Sequence, residues 1–291
     1  MTDTACQADS WSRLGILAGG GDLPLTLARA VSEDNPFIVE LSGFSDRDYS
    51  AFETKTIAVG QIGKIIKALH EAKCDTICFA GYVTRPDMKA LKMDARGLAL
   101  VPKALAAGRK GDDALIRVVV GEFEQAGFRV AGADEVLAGL APDDDGAIAP
   151  ELAHAHQADI DKAAAIARSI GALDIGQACV VADGLVLAVE AQEGTNEMLD
   201  RVAGLDAALR GRAGDRRGVL AKMPKPVQER RVDLPTIGAG TVTRCAQAGL
   251  AGIALEAGAA LVLEGEAVKA ALAENGMFLA IVPAVGKAED A

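Results

Sequence analysis

The 291-residue chain reads as an α/β protein of two domains, an N-terminal Rossmann-like parallel sheet followed by a C-terminal mixed α/β domain. Three observations predict this. A single hydrophobic core stops growing near ~250–300 residues, so two cores of about 140 residues each suit this length better than one. Half the residues are apolar but only 3% are aromatic, and small aliphatic interiors suit helices packed on a sheet better than an aromatic-rich sandwich. The first half alternates strand-like and helix-like segments, the signature of a parallel sheet with helices on its faces.

The elements follow in order. "RLGILAGGGDLPLTLARAV" is strand, glycine turn and helix, with Pro24 in the first helical turn, where its missing N–H costs nothing. "PFIVELSGF" and "KTIAV" are the second and third strands. "QIGKIIKALHEAK" places Ile62, Ile65, Ile66 and Leu69 at helical spacing and leads into the strand "TICFAGYV". Asp112 or Asp113 is expected to cap the helix "DALIRVVVGEFEQAG", before the short strand "FRVAG". "GLAPDDDGAIAPE" breaks the alternation with prolines, glycines and three consecutive aspartates, and it is read as a linker over 141–150. The domains are therefore expected at 13–140 and 151–285, with residues 1–12 a disordered extension. Beyond the linker come the helix "ADIDKAAAIARSIG", a hairpin turning at Asp183-Gly184, the helix "NEMLDRVAGL", the strand "GVLAKM", a helix from about Thr241, and two or three short strands ending in "MFLAIV".

The formal charge of −11 disfavours a general nucleic-acid binder, which carries a basic face. Its cations are nonetheless concentrated. Eight of the thirty lie between Arg210 and Arg231, against two acids, Asp215 and Glu229. The five cysteines are odd in number and scattered, which argues against a disulfide framework. No apolar leader and no run of ~18 apolar residues is present, so the expected location is the cytoplasm.

Four stretches could carry chemistry. "AGGGDLP" (18–24) lies where α/β folds bind phosphates, but Pro24 stands where a dinucleotide fingerprint needs its third glycine, and no G-K-[ST] follows. A tight strand-to-helix turn explains it about as well. His70, His154 and His156 do not form a zinc spacing, and no G-x-S-x-G elbow occurs. "EAQEGTNEM" offers Glu190, Glu193, Thr195 and Asn196 at a helix start, where capping alone would account for Glu193 and Thr195. "KMPKPVQERRVDLPTIGAGTV" (222–242) sets Asp233 among cations, prolines and glycines. Mg²⁺ uses one or two carboxylates and completes its shell with water and substrate phosphate, and Asp233 fits that pattern. A plain ion pair with Arg230 or Arg231 is the alternative.

"AGGGDLP", "FAGYVTRP", "GDDALIR", "EGTNEML", "KMPKPVQERRVDLPTIGAGTV" and "GIALEAG", in that order, closely resemble the LpxI-type UDP-2,3-diacylglucosamine pyrophosphatases of lipid A biosynthesis. The resemblance runs from about Leu14 to Val282 and is most specific from Lys222 to Thr241. It departs at Glu229, where the family usually carries aspartate. The resemblance implies Mg²⁺-dependent hydrolysis of the substrate diphosphate to UMP and 2,3-diacylglucosamine 1-phosphate (lipid X), two domains holding the lipid product between them, and peripheral work on the inner face of the inner membrane. It implies that Asp233 is the essential acid.

Beside it, the residues suggest that Asp233 binds Mg²⁺ or positions water, while Lys222 and Lys225 offset diphosphate charge. Gly20, Gly21 and Asp22 are expected to meet the nucleotide sugar through the backbone, and Tyr82 and Arg85 to face the cleft. Thr195 and Asn196 are expected on sugar or phosphate, with Gln228, Thr236 and Gly238 completing the substrate-binding set. Transient contact with the membrane surface is expected, through cations 210–231 if attraction to anionic lipid contributes; a homodimer is allowed. Two other readings stand against this one. "AGGGDLP" with Glu40 motivates an NAD-dependent oxidoreductase, and the cationic loop without an attacking water would make a non-catalytic lipid or nucleotide carrier.

Overall fold

The computed structural model describes residues 11–84, 91–109, 111–143, 145–226 and 228–284. The chain forms two units. The first comprises residues up to Ala138 together with Glu229–Asp233, and the second comprises Gly139–Gln228 and the chain from Leu234 onward. The N-terminal extension before Trp11 lies outside the described residues, while Ser12 donates from both backbone and hydroxyl to Asp75.

The first unit runs β1 (Leu14–Ala18), α1 (Leu23–Ala30), β2 (Phe37–Leu41), β3 (Glu53–Ile57), α2 (Ile62–Glu71), β4 (Thr76–Ala80), α3 (Ala95–Gly108), α4 (Asp112–Gln125), β5 (Arg129–Val130) and α5 (Ala133–Val136). The strands lie in the order β3-β2-β1-β4-β5 and every pair is parallel, the Rossmann-like arrangement expected. All five residues of β1 are buried, as a central parallel strand covered on both faces requires. The outer strand β3 is exposed along Glu53–Thr56 and carries charge there, which discourages edge pairing. In α2, Ile62, Ile65, Ile66 and Leu69 all point inward, and they pack with Leu17, Val39, Ile77, Phe123 and Phe128. The chain runs outward from β1 to β3 and resumes on the other side at β4. The topological switch point therefore falls between the carboxyl ends of β1 and β4.

The second unit runs α6 (Pro150–His154), α7 (Gln157–Ala172), β6 (Ala178–Ala182), β7 (Leu185–Val189), α8 (Gly194–Ala203), α9 (Ala207–Arg210), β8 (Gly211–Arg212), β9 (Asp215–Arg216), β10 (Val219–Lys222), β11 (Thr236–Ile237), α10 (Ala239–Gln247), β12 (Gly252–Glu256), β13 (Leu261–Val262), α11 (Gly265–Asn275) and β14 (Phe278–Val282). Its main sheet is mixed, in the order β14-β12-β10-β6-β7, with β14, β12 and β10 parallel and the β10–β6 and β6–β7 pairs antiparallel. Both faces are covered. Met198, Leu199, Val242, Cys245, Val268 and Leu272 from α8, α10 and α11 pack on Leu220 and Ile253. Ile160, Ala163 and Ala167 of α7 pack on Val219, Ala221 and Ala254 from the other side. Neighbouring strand residues face opposite layers, so β10 is apolar at each position before Lys222.

The hairpin turn holds Asp183 at φ 48° and Gly184 at φ 76°, the left-handed pair that the Asp-Gly dipeptide predicts. Buried Asp159 accepts from both turn amides, at 2.9 and 2.8 Å. Elsewhere the structure departs from the expectations. The N-cap of α4 is Gly111, at φ 130°, rather than an aspartate with a capping bond, because Asp113 is needed elsewhere. Helices stand where none was read: the long α3 and α11, and the short α5, α6 and α9. The aspartate-rich segment read as a linker is fastened to the second unit. Leu140 accepts from Val262 N (2.7 Å), Pro142 from Gly258 N (2.9 Å), and Ile148 bridges Leu279.

Candidate functional site

In the first unit, the switch point is closed by a two-residue bridge. Gly20 N donates to Tyr82 O at 2.9 Å and Tyr82 N returns the bond to Gly20 O at 3.0 Å. The Tyr82 ring lies over Gly20, where an added Cβ would stand 2.5 Å from Cζ. Gly21, at φ 89°, donates its amide to Asp46 Oδ1 at 2.9 Å, and the Tyr82 hydroxyl donates to Asp46 Oδ2 at 3.4 Å. Arg47 bridges Asp22 (2.7 Å) and Asp46 (3.5 Å). The amides of Gly20 and Gly21, expected to meet a ligand, are thus both already donated. What the turn presents is carboxylate oxygen and a phenol, 58% exposed at Tyr82. A pair of carboxylates repels phosphate and accepts from hydroxyls, so this arrangement is suited to the hydroxyl-bearing part of a ligand.

In the second unit, Lys222 ends the central strand β10. Only 6% exposed, it donates from Nζ to Thr236 O at 2.9 Å. Met223 follows, and the chain turns through Lys225, whose Nζ meets Asp174 at 2.7 Å while its amide donates to Gln228 Oε1 at 2.9 Å. Gln228 is 7% exposed and its Nε2 has no acceptor among the described residues. A buried amide donor left without an acceptor is costly and marks a place where a further polar group is wanted. Thr236 turns its hydroxyl back to Leu234 O. Gly238 is the N-cap of α10, whose first turn holds no acid. A Cβ at Gly240 would meet nothing within 4 Å, so the glycine there is not forced by contact within the protein. Gly238 N is donated to Thr241 Oγ1 at 3.4 Å and Thr241 N to Gly238 O at 2.9 Å, so it is the acid-free first turn at Ala239 and Gly240 that suits an anion.

Asp233 belongs to the first unit, in the segment Glu229–Asp233. That segment is held from several sides. Glu229 N donates to Asp113 Oδ1 on α4 at 2.6 Å. Glu229 and Arg231 form a two-pronged pair, 2.9 Å to Nε and 3.0 Å to Nη2, and Arg231 Nη1 reaches Glu124 at 2.8 Å. The guanidinium bonds hold the Glu229 carboxyl below the usual range. Val232 packs on the first unit's core, and Asp233 N closes a turn onto Glu229 O at 3.1 Å. Arg231, one of the two ion-pair partners considered for Asp233, is engaged by Glu229 and Glu124 instead. The half-buried Asp233 carboxylate is carried on a braced turn.

The remaining predicted residues divide. Thr195, in the first turn of α8, donates its hydroxyl to buried Glu190 at 2.8 Å, and Glu190 also accepts from Gln177 N at 3.0 Å. Capping therefore does not occupy Thr195; Glu193 is the N-cap residue and its carboxylate goes to Arg201. Asn196 is exposed beside it. Arg85 lies outside the described residues. Burial raises the Cys78, Cys179 and Cys245 thiols to about 12, which removes them as thiolate nucleophiles. His156 stacks on Phe278 and His70 on Phe128.

The cationic run from 210 to 231 is not one patch. Arg210 and Arg216 donate to backbone carbonyls, Arg217 pairs with Asp183 and Asp215, and Lys225 and Arg231 pair with carboxylates. Sequence reasoning missed Asp46, Arg47, Asp113 and Glu124. "FSDRD" after a predicted parallel strand could have flagged the first two, because ligand loops gather at carboxyl ends. Asp113 stands in "GDDALIR", where it was read only as a helix cap, and nothing local marks Glu124.

Comparison with known proteins adds to this geometry. A family model described as the LpxI N-terminal domain matches residues 13–140, and one described as the LpxI C-terminal domain matches residues 145–280. A relative from Caulobacter vibrioides, UDP-2,3-diacylglucosamine pyrophosphatase LpxI, is 52% identical over 271 residues, covering 92% of this chain and 96% of the relative. Fold and matches together define a two-domain α/β hydrolase. The chain belongs to the LpxI family.

Proposed function

We propose that this chain hydrolyses the diphosphate of UDP-2,3-diacylglucosamine to UMP and 2,3-diacylglucosamine 1-phosphate, a step of lipid A biosynthesis. The observation that carries the reading is the 52% identity, spanning both domains, to a relative bearing that activity in its name. The residues give it chemical sense. Diphosphate hydrolysis needs charge neutralised on the transferring phosphoryl group and a water placed in line. Asp233, on its braced turn, holds the metal or orients that water. Lys222 and Lys225 offset diphosphate charge, the first turn of α10 after Gly238 receives a phosphoryl oxygen, and Gln228 Nε2 donates to another. Asp22, Asp46 and the Tyr82 hydroxyl accept from or donate to sugar hydroxyls. Thr195, oriented by Glu190, and Asn196 complete the polar contacts.

Among the described residues, no three His, Cys, Asp or Glu side chains gather as a metal site. One hard carboxylate, Asp233, is within what Mg²⁺ requires, since it takes its remaining ligands from water and phosphate. When bound there, Mg²⁺ supplies positive charge to the diphosphate oxygens and acidifies a bound water.

A diacyl substrate resides in a bilayer, and each CH₂ withdrawn from it costs about 0.8 kcal/mol unless reburied. This suits peripheral work at a membrane surface, which the family resemblance places on the inner face of the inner membrane. No helix among the described residues is long and apolar enough to cross a membrane.

The test is UMP release from detergent-dispersed UDP-2,3-diacylglucosamine by the purified protein, with Mg²⁺ and with excess EDTA. Equimolar UMP and lipid phosphate, stopped by EDTA, is the expected result. Bound lipid without UMP would replace the reading with the carrier, and nicotinamide fluorescence changes without UMP would replace it with the oxidoreductase.

A further inference from the structure

The helix α3 (Ala95–Gly108) turns an unusual face to solvent. Its buried side is Gly97 and Leu100. Its exposed side is Ala95, Leu98, Ala99, Pro102, Leu105 and Ala106, at the 3- and 4-residue spacings of one helical stripe. Leu98 is 60% exposed and Leu105 53%. Scattered exposed leucines need no explanation, but a continuous apolar stripe on a soluble helix does. Pro102 lies within the stripe and has no N–H to give to Leu98 O, a cost a purely structural surface helix has no reason to carry.

The charges around the stripe are equally one-sided. From Ala95 to Arg109 there is no carboxylate, in a chain whose formal charge is −11. Lys103 and Arg109 are exposed there, and Lys92 is exposed just before the helix. The preceding Asp94 is turned inward, accepting from Gly97 N and Lys64 N at 2.8 Å each. An apolar stripe with cations beside it, in an otherwise acidic protein, is complementary to an anionic lipid surface. The 210–231 run is a poor rival for this role, because most of its cations are committed to carboxylates or carbonyls.

We infer that the exposed face of α3 docks the protein on anionic bilayers, Leu98 and Leu105 entering the headgroup boundary and Lys103 and Arg109 meeting lipid phosphates. The inference takes its purpose from the proposed lipid substrate, but docking requires no substrate. Two aliphatic anchors and a few cations give a reversible visit, as a peripheral enzyme needs.

The test is co-sedimentation of the full chain, without substrate, with vesicles of phosphatidylcholine alone and of phosphatidylcholine with phosphatidylglycerol. Binding is expected only when the anionic lipid is present and should weaken with salt. Leu98→Ser with Leu105→Ser, and separately Lys103→Glu with Arg109→Glu, should each weaken it about tenfold. Both pairs should retain the parent melting temperature and the parent rate on detergent-dispersed substrate. Unchanged vesicle binding in both folded variants would overturn the inference. So would intact vesicle binding with a raised KM on dispersed substrate, which would make the stripe an acyl-chain groove, or with a lost dimer, which would make it a self-association face. Vesicle binding by a protein that releases no UMP would sink the proposed reaction and leave the docking face standing.

Discussion

The amide of Glu229 donates to the carboxylate of Asp113 at 2.6 Å, a bond between residues 116 positions apart. It joins the first turn of α4 to a five-residue segment that the chain contributes from between two stretches of the second unit. Asp233 is the last residue of that segment. Its placement therefore depends on α4 as much as on its own turn.

Removing this acceptor should loosen Asp233 more than it harms the fold. A part-buried charge-assisted bond is worth about 1.5–3 kcal/mol, so Asp113→Ala should lower stability by about 2 kcal/mol and turnover by at least about tenfold. Asp113→Asn, which keeps a carbonyl acceptor, should recover most of the turnover. Denaturant midpoints and kcat for the two variants decide it. Equal rates in parent and Asp113→Ala would show that the tether does not position Asp233.

Adjacent glycines at the switch point should respond differently to the same methyl group. At Gly19 the new Cβ would stand 2.6 Å from Tyr82 O, a backbone atom held by its bridge to Gly20. At Gly20 it would meet the far end of the Tyr82 ring, which is 58% exposed and can swing aside. Gly19→Ala should cost about 2–3 kcal/mol of stability. Gly20→Ala should cost under about 1 kcal/mol and raise KM by displacing the phenol. Thermal melts and a substrate titration separate these; equal stability losses would contradict the geometry.

The Glu229–Arg231 pair makes an acid-range prediction. Hydrogen bonding to the Arg231 guanidinium lowers the Glu229 pKa from the ordinary 4.5. A depressed acid contributes stability that is fully present above its unfolded value and is lost as pH falls through its folded value. Glu229→Gln should therefore be less stable than the parent at neutral pH, and the gap should narrow as pH drops below 4.5. Denaturant midpoints at descending pH measure it, and a gap that widens on acidification would be inconsistent with the pair.

The fold was legible where physics acts locally. Asp183-Gly184 announces its own left-handed turn, and Ile62, Ile65, Ile66 and Leu69 announce the buried face of α2. α3 was not legible for the reason that makes it interesting. Its apolar stripe faces outward and it carries Pro102 in its interior, so neither periodicity nor propensity identifies a packed helix. α11 disappeared among alanines in "GEAVKAALAEN", short enough to be absorbed into the neighbouring strands. The site was legible in its residue types more than in their roles. The dense cations from Arg210 onward suggested one clamp, yet several of them bind carbonyls and acids within their own unit. Gly20 and Gly21 suggested free amides, yet Asp46 and Tyr82 take them. Such partners lie 25 to 62 positions away, and a single sequence does not display pairings across that separation.

The most direct measurement of the central claim is steady-state UMP release by Asp233→Ala beside the parent protein, both folded and both supplied with Mg²⁺. The rate should fall about a thousandfold, the scale expected when a group that organises transition-state charge is lost. Turnover within about tenfold of the parent, roughly 1.4 kcal/mol of barrier, would contradict it and remove Asp233 from the chemistry.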